Sequence, residues 1–139
     1  MLRSTRVHLT QNYTLANKLY TELGETIANC LPKHIQSFSV YKDELTIHIA
    51  PCSSIPVFRF LRDHQSTQFK LCMDVCGVDY PSRENRFEVV YHLLSICYNT
   101  RIRVKTYANE VQGVHSISSL YPAANWFERE AWDMYYYLI

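Results

Sequence analysis

The apolar positions of the chain follow two periods, and the first of them is helical. Between residues 12 and 30 apolar side chains recur every three or four positions, which is the spacing of one helix face. The positions concerned are Ala16, Leu19, Tyr20, Leu23 and Ile27. Pro32 disfavours helical backbone at the residue before it, so the pattern predicts a helix over about 12–30 that closes before this proline.

Residues 35–50 change to the alternation of a β-hairpin. A polar run at 42–44 separates two stretches in which apolar residues alternate with polar ones. Because successive side chains of a strand point to opposite faces, His48 is expected on the outward, solvated face of the second strand. Pro51 is predicted to end that strand. A short helix is predicted next, over about 54–65, with its apolar side facing inward.

From Phe69 the chain has strand character for nearly forty residues. Three strands are predicted, over about 69–79, 87–96 and 101–106, and they are expected to form an antiparallel meander. The second is largely apolar and is therefore predicted to be central. The third alternates strictly, with β-branched residues inward and the basic residues Arg101, Arg103 and Lys105 outward.

The last element is a helix that begins near Ala123. Helical spacing places Trp126, Glu130, Asp133 and Tyr137 on one face, and Phe127, Ala131, Met134 and Leu138 on the next, apolar one. Carboxylates beside so many rings are costly to bury unless they are paired, so the charged face is expected to be solvated or to meet a partner.

These elements predict one α+β domain over residues 1–139, in two layers. A mixed, mostly antiparallel sheet of about five strands is expected, with the N-terminal and C-terminal helices packed on it. Residues 1–21 have no acidic residue but carry Arg3, Arg6 and Lys18. That composition fits a mitochondrial targeting segment and equally a basic first helix, and residues 1–11 are taken as a flexible or targeting segment.

Composition narrows the function classes. The net charge is +1, so no global field favours nucleic acid or anionic lipid. No apolar run approaches the roughly 20 residues that span a bilayer. The five cysteines are scattered and odd in number, which favours a reducing compartment. Cys72 and Cys76, four apart on a strand, are expected on the same face about 13 Å apart, as core residues and not as ligands of one metal ion.

Two clusters could carry chemistry of their own. Asp74, Asp79 and Glu88 could make a small enzyme site, but no catalytic partner is recognisable beside them. A structural turn is favoured instead, with Gly77, Asp79 and Pro81 in it and Asp79 accepting hydrogen bonds from backbone N–H groups.

The stripe of Arg101, Arg103 and Lys105 could bind RNA, with Tyr98 and Tyr107 as stacking rings. The near-neutral net charge and the neighbouring acids argue against nucleic acid. Docking on an acidic protein surface, or simple solvation, fits the stripe better.

Two long motifs resemble a known family. Residues 75–83 (VCGVDYPSR) and 86–95 (RFEVVYHLLS) are similar to the central block of the 30-kilodalton subunit of respiratory complex I, which is called NADH dehydrogenase subunit 9 in mitochondria and also has a bacterial form. Residues 124–135 (ANWFEREAWDMY) resemble that family's signature, Glu-Arg-Glu-x-x-Asp followed by two apolar or aromatic residues. The match spans about residues 69–135 in the right order and spacing.

The resemblance implies a non-catalytic structural subunit in the hydrophilic arm of mitochondrial complex I, on the matrix side of the inner membrane. It implies docking on the 49-kilodalton subunit near the quinone pocket, while NADH, FMN, iron–sulfur clusters and ubiquinone are bound by other subunits. The expected signature and interface residues are Trp126, Glu128, Arg129, Glu130 and Asp133. Their charges are hypothesised to make charge-assisted bonds within the subunit or to a neighbour. A related interaction module in a different mitochondrial assembly is the alternative.

The chain departs from the family after the signature. Where the family usually has Gly, this sequence has Tyr136, and the family's following His-Pro-x-Leu-Arg-Arg stretch and C-terminal extension are absent. The last helix is therefore expected to run on to Ile139. A separate chain, or other subunits, is expected to cover the surface that the extension occupies in the family.

Overall fold

The computed structural model describes residues 15–135 and shows the predicted α+β fold in that part of the chain. The helices are α1 (Leu15–Cys30), α2 (Ser54–Asp63) and α3 (Ala124–Tyr135), and a short 3-10 helix, Pro51–Ser53, leads into α2. The strands are β1 (Ile35–Tyr41), β2 (Glu44–Ile49), β3 (Leu71–Asp79), β4 (Phe87–Ser95) and β5 (Thr100–Ala108). The expectations for residues 1–11, for a helix start near 12 and for a last helix reaching Ile139 lie outside the described residues.

The five strands form one mixed sheet in the order β1-β2-β5-β4-β3. The β3–β4–β5 meander is antiparallel, as predicted, and so is the β1–β2 hairpin. The two units join through a parallel pair, in which Leu45 lies beside Ile102 and Ile49 beside Thr106. β4 lies between β5 and β3 and is an internal strand, as predicted, while β5 takes the middle position of the five. Apolar content marked β4 as internal, but only the pairing with β2 decides which strand is in the middle.

All three helices pack on one face of the sheet. The α1 backbone at Gly24 lies against Phe38 of β1 and Leu45 of β2. Phe58 of α2 contacts Tyr91 of β4, with 4.7 Å between ring centroids. At α3, Tyr135 meets Phe87 of β4 in a T-shaped ring contact. No helix of the described residues covers the opposite face, which we call the open face.

The β1–β2 turn is as short as a hairpin allows. Lys42 and Asp43 both have positive φ, 49° and 60°, and Tyr41 pairs directly with Glu44. Two left-handed residues in succession make a type I′ turn, whose twist suits two antiparallel strands. The turn fixes the register that places Leu45 and Ile47 in the core.

A β-bulge near the start of β3 changes the expected arrangement of its cysteines. The register shifts between Cys72, opposite Leu93, and Asp74, opposite His92. The extra residue reverses which face of the sheet the following side chains point to. Cys72 therefore lies in the core, while Cys76 lies on the open face with Asp74. The prediction that both thiols share a face was wrong, because an alternation of period two holds only in an unbroken ladder.

Candidate docking surface

Glu128 is the one acid of the signature helix that points inward. Its side chain lies on the buried stripe of α3, and the residue is 7% exposed. One carboxylate oxygen accepts a hydrogen bond from the backbone N–H of Ile117 at 2.7 Å, and the other accepts one from the Ser116 hydroxyl at 2.5 Å. Glu128 therefore makes its charge-assisted bonds within the subunit, where it holds the segment before α3 against the helix.

The outer side of α3 carries the remaining signature residues. Trp126, Arg129, Glu130 and Asp133 are all exposed, and the Arg129 guanidinium lies 5.5 Å from the centre of the Trp126 ring. Trp132 is also on the exposed side. The solvent-facing half of α3 thus combines tryptophans with charges of both signs, a composition typical of interface centres.

Met134 was predicted on the apolar, inward face, and the structure places it outside. The inward positions are taken by Ala124, Glu128, Ala131 and Tyr135. Tyr135 donates a hydrogen bond to the Gly77 carbonyl at 3.0 Å. This bond and the ring contact with Phe87 rotate the helix away from the apolar stripe that simple periodicity favours.

The β3–β4 turn is closed by an ion pair that the sequence did not suggest. Asp79 accepts two hydrogen bonds of 2.7 Å from the Arg86 guanidinium, which also reaches Glu110 at 3.0 Å. The expectation that Asp79 accepts backbone N–H bonds was wrong, since the Tyr80 N–H bonds the Arg86 carbonyl instead. The neighbouring guanidinium lowers the pKa of Asp79. The bidentate geometry gives this turn a fixed shape, with Pro81 at its tip.

The three acids considered for catalysis do not converge on one point. Asp74 accepts hydrogen bonds from the Val75 N–H and the Cys76 thiol, at 2.8 and 3.1 Å. Glu88 is held by Lys105 at 2.7 Å and by Arg83 at 3.3 Å. Burial and Asp74 raise the pKa of Cys76 to about 11, so this thiol is protonated at neutral pH. Within residues 15–135 no three His, Cys, Asp or Glu side chains are grouped as metal ligands.

The basic stripe on β5 is largely neutralised. Arg103 pairs with Glu44 at 2.6 Å and Lys105 with Glu88, so two of its three cations have an acidic partner. These short pairs lower the positive potential that a nucleic-acid backbone would require. Only Arg101 of the stripe is without an ion pair among the described residues.

Two histidines, His48 and His92, lie among these charged side chains. His48 was predicted to be solvated, but it is half-buried beside Lys105. Burial first and Lys105 second lower its pKa. His92 lies between Asp74 and Arg103 in the strand register, and burial and Arg103 lower its pKa. Both positions depend on cross-strand register, which a single strand pattern does not contain.

Among the helices of residues 15–135, none is both long enough and apolar enough to traverse a bilayer. The fold and surface define a small two-layer α+β domain that carries a tryptophan-bearing helix on its outside.

The chain belongs to the family described as respiratory-chain NADH dehydrogenase, 30 Kd subunit, whose model matches residues 47–136. A probable NADH-ubiquinone oxidoreductase 30.4 kDa subunit, mitochondrial, from Candida maltosa is 51% identical over 129 residues. That alignment covers 93% of this chain and 47% of the relative. The corresponding Neurospora crassa subunit is 54% identical over 81% of this chain and 40% of its own length.

The likeness extends to bacteria and to a solved structure. A subunit of the NADH-quinone oxidoreductase of Hyphomonas neptunium is 50% identical, over 83% of this chain and 57% of the relative. A chain of the archaeal membrane-bound sulfane sulfur reductase superposes with a TM-score of 0.63 at 25% identity, covering 79% of this chain and 64% of that one. The chain spans about half the length of the curated relatives that it matches.

Proposed function

We propose that the chain is a non-catalytic structural subunit in the hydrophilic arm of a mitochondrial NADH:ubiquinone oxidoreductase, complex I. In this role it supports electron transfer from NADH to ubiquinone and catalyses no step itself. Family membership supports the proposal, as do relatives whose names place them in mitochondria. The engagement of Asp74, Asp79 and Glu88 in separate structural bonds also supports it.

The observation that carries the proposal is the exposure of large apolar side chains on α3. Trp126 is 77% exposed and Met134 75% exposed, both within the family signature. Exposing tryptophan and methionine side chains to water is unfavourable, and covering their apolar surface with a partner releases free energy. Tryptophan and arginine are also among the residues most enriched at the energetic centres of protein interfaces.

We propose that this face of α3 docks on the 49-kilodalton subunit near the quinone pocket, on the matrix side. Trp126, Arg129, Glu130 and Asp133 form the contact, while Glu128 keeps the helix in place from behind. The flavin, the iron–sulfur clusters and the quinone are then held by other subunits. Residues 1–139 act as a single module in this arrangement.

The test is assembly of a variant in which the two tryptophans are replaced. Trp126→Ala with Trp132→Ala is expected to lower the fraction of the chain in the megadalton particle by about tenfold or more, because each truncation at an interface centre costs over about 1 kcal/mol. The measurement is native electrophoresis of gently solubilised mitochondrial membranes, followed by turnover per assembled particle. Glu130→Ala and Asp133→Ala are expected to act in the same direction.

Leu19→Ala is the matched control, since Leu19 is a comparably exposed apolar residue on α1. This control variant should leave assembly unchanged. The unassembled Trp126→Ala, Trp132→Ala variant should have the same urea unfolding midpoint as the wild type. Normal assembly of the tryptophan variant would refute docking through α3. Normal assembly with slower turnover per particle would contradict the structural role itself.

A further inference from the structure

A groove of about 580 Å³ crosses the end of the sheet where the β1–β2 and β4–β5 turns lie. Its lining includes Lys42 of the first turn, Asn99 and Arg101 at the second, and Met73 and Asp74 of β3. His92 and Arg103 of the open face also line it. The groove is therefore built mainly by residues of four of the five strands, and Tyr20 of α1 also lines it.

All three acids that line this groove, Asp43, Glu44 and Asp74, have partners. Glu44 pairs with Arg103 at 2.6 Å, and Asp74 is occupied by the Val75 N–H and the Cys76 thiol. Two of the three cations that line the groove have no ion pair within residues 15–135. They are Arg101, and Lys42, whose ammonium lies 5.4 Å from the centre of the Tyr41 ring. The groove thus offers two unmatched positive charges.

Exposed apolar side chains border the groove on the β3 side. Leu71 lies opposite Leu94, and Leu94 lies opposite Arg101, so one row across three strands runs from apolar to cationic. Met73 and Leu71 are both exposed, and Ile96 in the adjoining β4–β5 turn is 73% exposed. Side chains opposite one another on neighbouring strands are within contact distance of the same ligand.

We propose that this groove binds an acidic segment of a partner protein. An Asp or Glu carboxylate of the segment lies between Arg101 and Lys42, and apolar residues next to it cover Leu71, Met73 and Ile96. The charge is complementary, and the apolar border supplies the area that two exposed ion pairs alone lack. This contact is additional to α3, because no residue of α3 lines the groove.

A lipid surface fits the same groove less well. Attraction to anionic lipid contributes about 1 kcal/mol for each nearby cation, and stable anchoring requires a polybasic cluster or a second signal. Here two cations stand beside the carboxylates of Asp43 and Glu44, which such a surface would repel. A protein segment can place a single carboxylate between the cations and avoid these acids.

The test is site-specific photo-cross-linking in intact cells. The full chain, with Ile96 replaced by p-benzoylphenylalanine, is irradiated, and the attached segment is identified by mass spectrometry. We expect one protein segment that contains Asp or Glu flanked by apolar residues. Arg101→Glu with Lys42→Glu should lower the cross-link yield by about tenfold. Changing the acid of the captured segment to Lys should restore it.

Lys33→Glu is the matched control, because Lys33 is an exposed lysine outside the groove. It should leave the yield unchanged. Cross-links to lipid, to a segment without acids, or to nothing would overturn the proposal, as would a yield that charge reversal does not alter. Migration of the chain in the megadalton particle is scored separately, so this result and that of the α3 experiment can fail independently.

Discussion

The carboxylate of Glu128 lies 2.7 Å from the backbone nitrogen of Ile117, and both residues are buried. A buried N–H that loses its acceptor has no water to replace it, so this one bond ties the orientation of α3 to the loop before it. The tryptophans on the outer side of the helix depend on that orientation. The part of the signature that faces inward therefore controls how the outward part is presented.

Replacing Glu128 is expected to destabilise the fold in proportion to the acceptors removed. Glu128→Ala leaves the Ile117 N–H unsatisfied and should lower the free energy of unfolding by about 1–3 kcal/mol. Glu128→Gln keeps one carbonyl oxygen and should lose less. Urea unfolding followed by tryptophan fluorescence measures both. Glu130→Ala, at an exposed position, should stay within about 0.5 kcal/mol of wild type. Equal effects of Glu128→Ala and Glu130→Ala would show that the buried bond is unimportant.

The Asp79–Arg86 pair predicts a pH dependence at the acidic end. The pKa of Asp79 is lowered below its ordinary value of 3.8, so its stabilising effect is present above that pH and is lost as pH falls through the lowered value. Asp79→Asn should therefore reduce the Tm at pH 7, and the gap from wild type should narrow from about pH 4 downward and close below the lowered pKa of Asp79. Glu84→Gln is the control, because Glu84 is exposed on the same turn. A gap that persists at low pH would assign the effect to packing and not to charge.

The open-face histidines predict a second pH dependence, nearer neutrality. The pKa values of His48 and His92 lie below 6.5, so the fold favours the neutral rings. The contribution of these neutral rings to the free energy of unfolding is fully present above pH 6.5. It is lost as the pH falls from there through the lowered pKa values. Arg83, Lys105 and Glu88 act on His48.

His92 is influenced by Arg103, Lys105, Asp74 and Glu44. The double variant His48→Gln with His92→Gln should show a smaller fall in Tm between pH 7 and pH 5 than wild type. The exposed His115→Gln should not alter the slope. An unchanged slope in the double variant would contradict the prediction.

Gly24 predicts an exception to the rule that alanine stabilises a helix. A Cβ at this position would lie 2.7 Å from Phe38 Cδ2 and 3.1 Å from Leu45 Cδ1, and both neighbours are buried. Overpacking of this kind costs about 1–3 kcal/mol, against a propensity gain of about 1 kcal/mol. Gly24→Ala should therefore lower the unfolding free energy by up to about 2 kcal/mol in urea titrations. Thr26→Ala, on the exposed side of α1, should be neutral or stabilising, and a stabilised Gly24→Ala would disprove the close approach.

Local patterns predicted the elements of this fold well, because each depends on nearby residues. The hairpin at residues 35–49, α2 and the three-stranded meander were confirmed with small shifts at their ends. The parallel β2–β5 pair was not foreseen, since no local signal specifies which strands meet across a long connection. The bulge at Cys72–Asp74 was also not predicted, because the sequence pattern of the strand has no visible break there.

The sequence predicted which residues form the candidate site better than it predicted how their side chains are oriented and paired. The two motifs led to the family, yet they did not reveal that Glu128 points inward, that Met134 points outward or that Asp79 binds Arg86. Each of these depends on a partner distant in sequence or on the rotation of α3. Periodicity averages over such contacts and cannot resolve them.

The parallel pair also has a consequence for how the chain is made. Leu45 can pair with Ile102 only after the ribosome has added 57 more residues, and at about 5–20 residues per second this delay is about 3–11 s. Throughout that interval the nascent hairpin has an apolar strand with no neighbour on one side. A ribosome-associated chaperone that shields this edge would protect the newborn chain until its middle strand emerges.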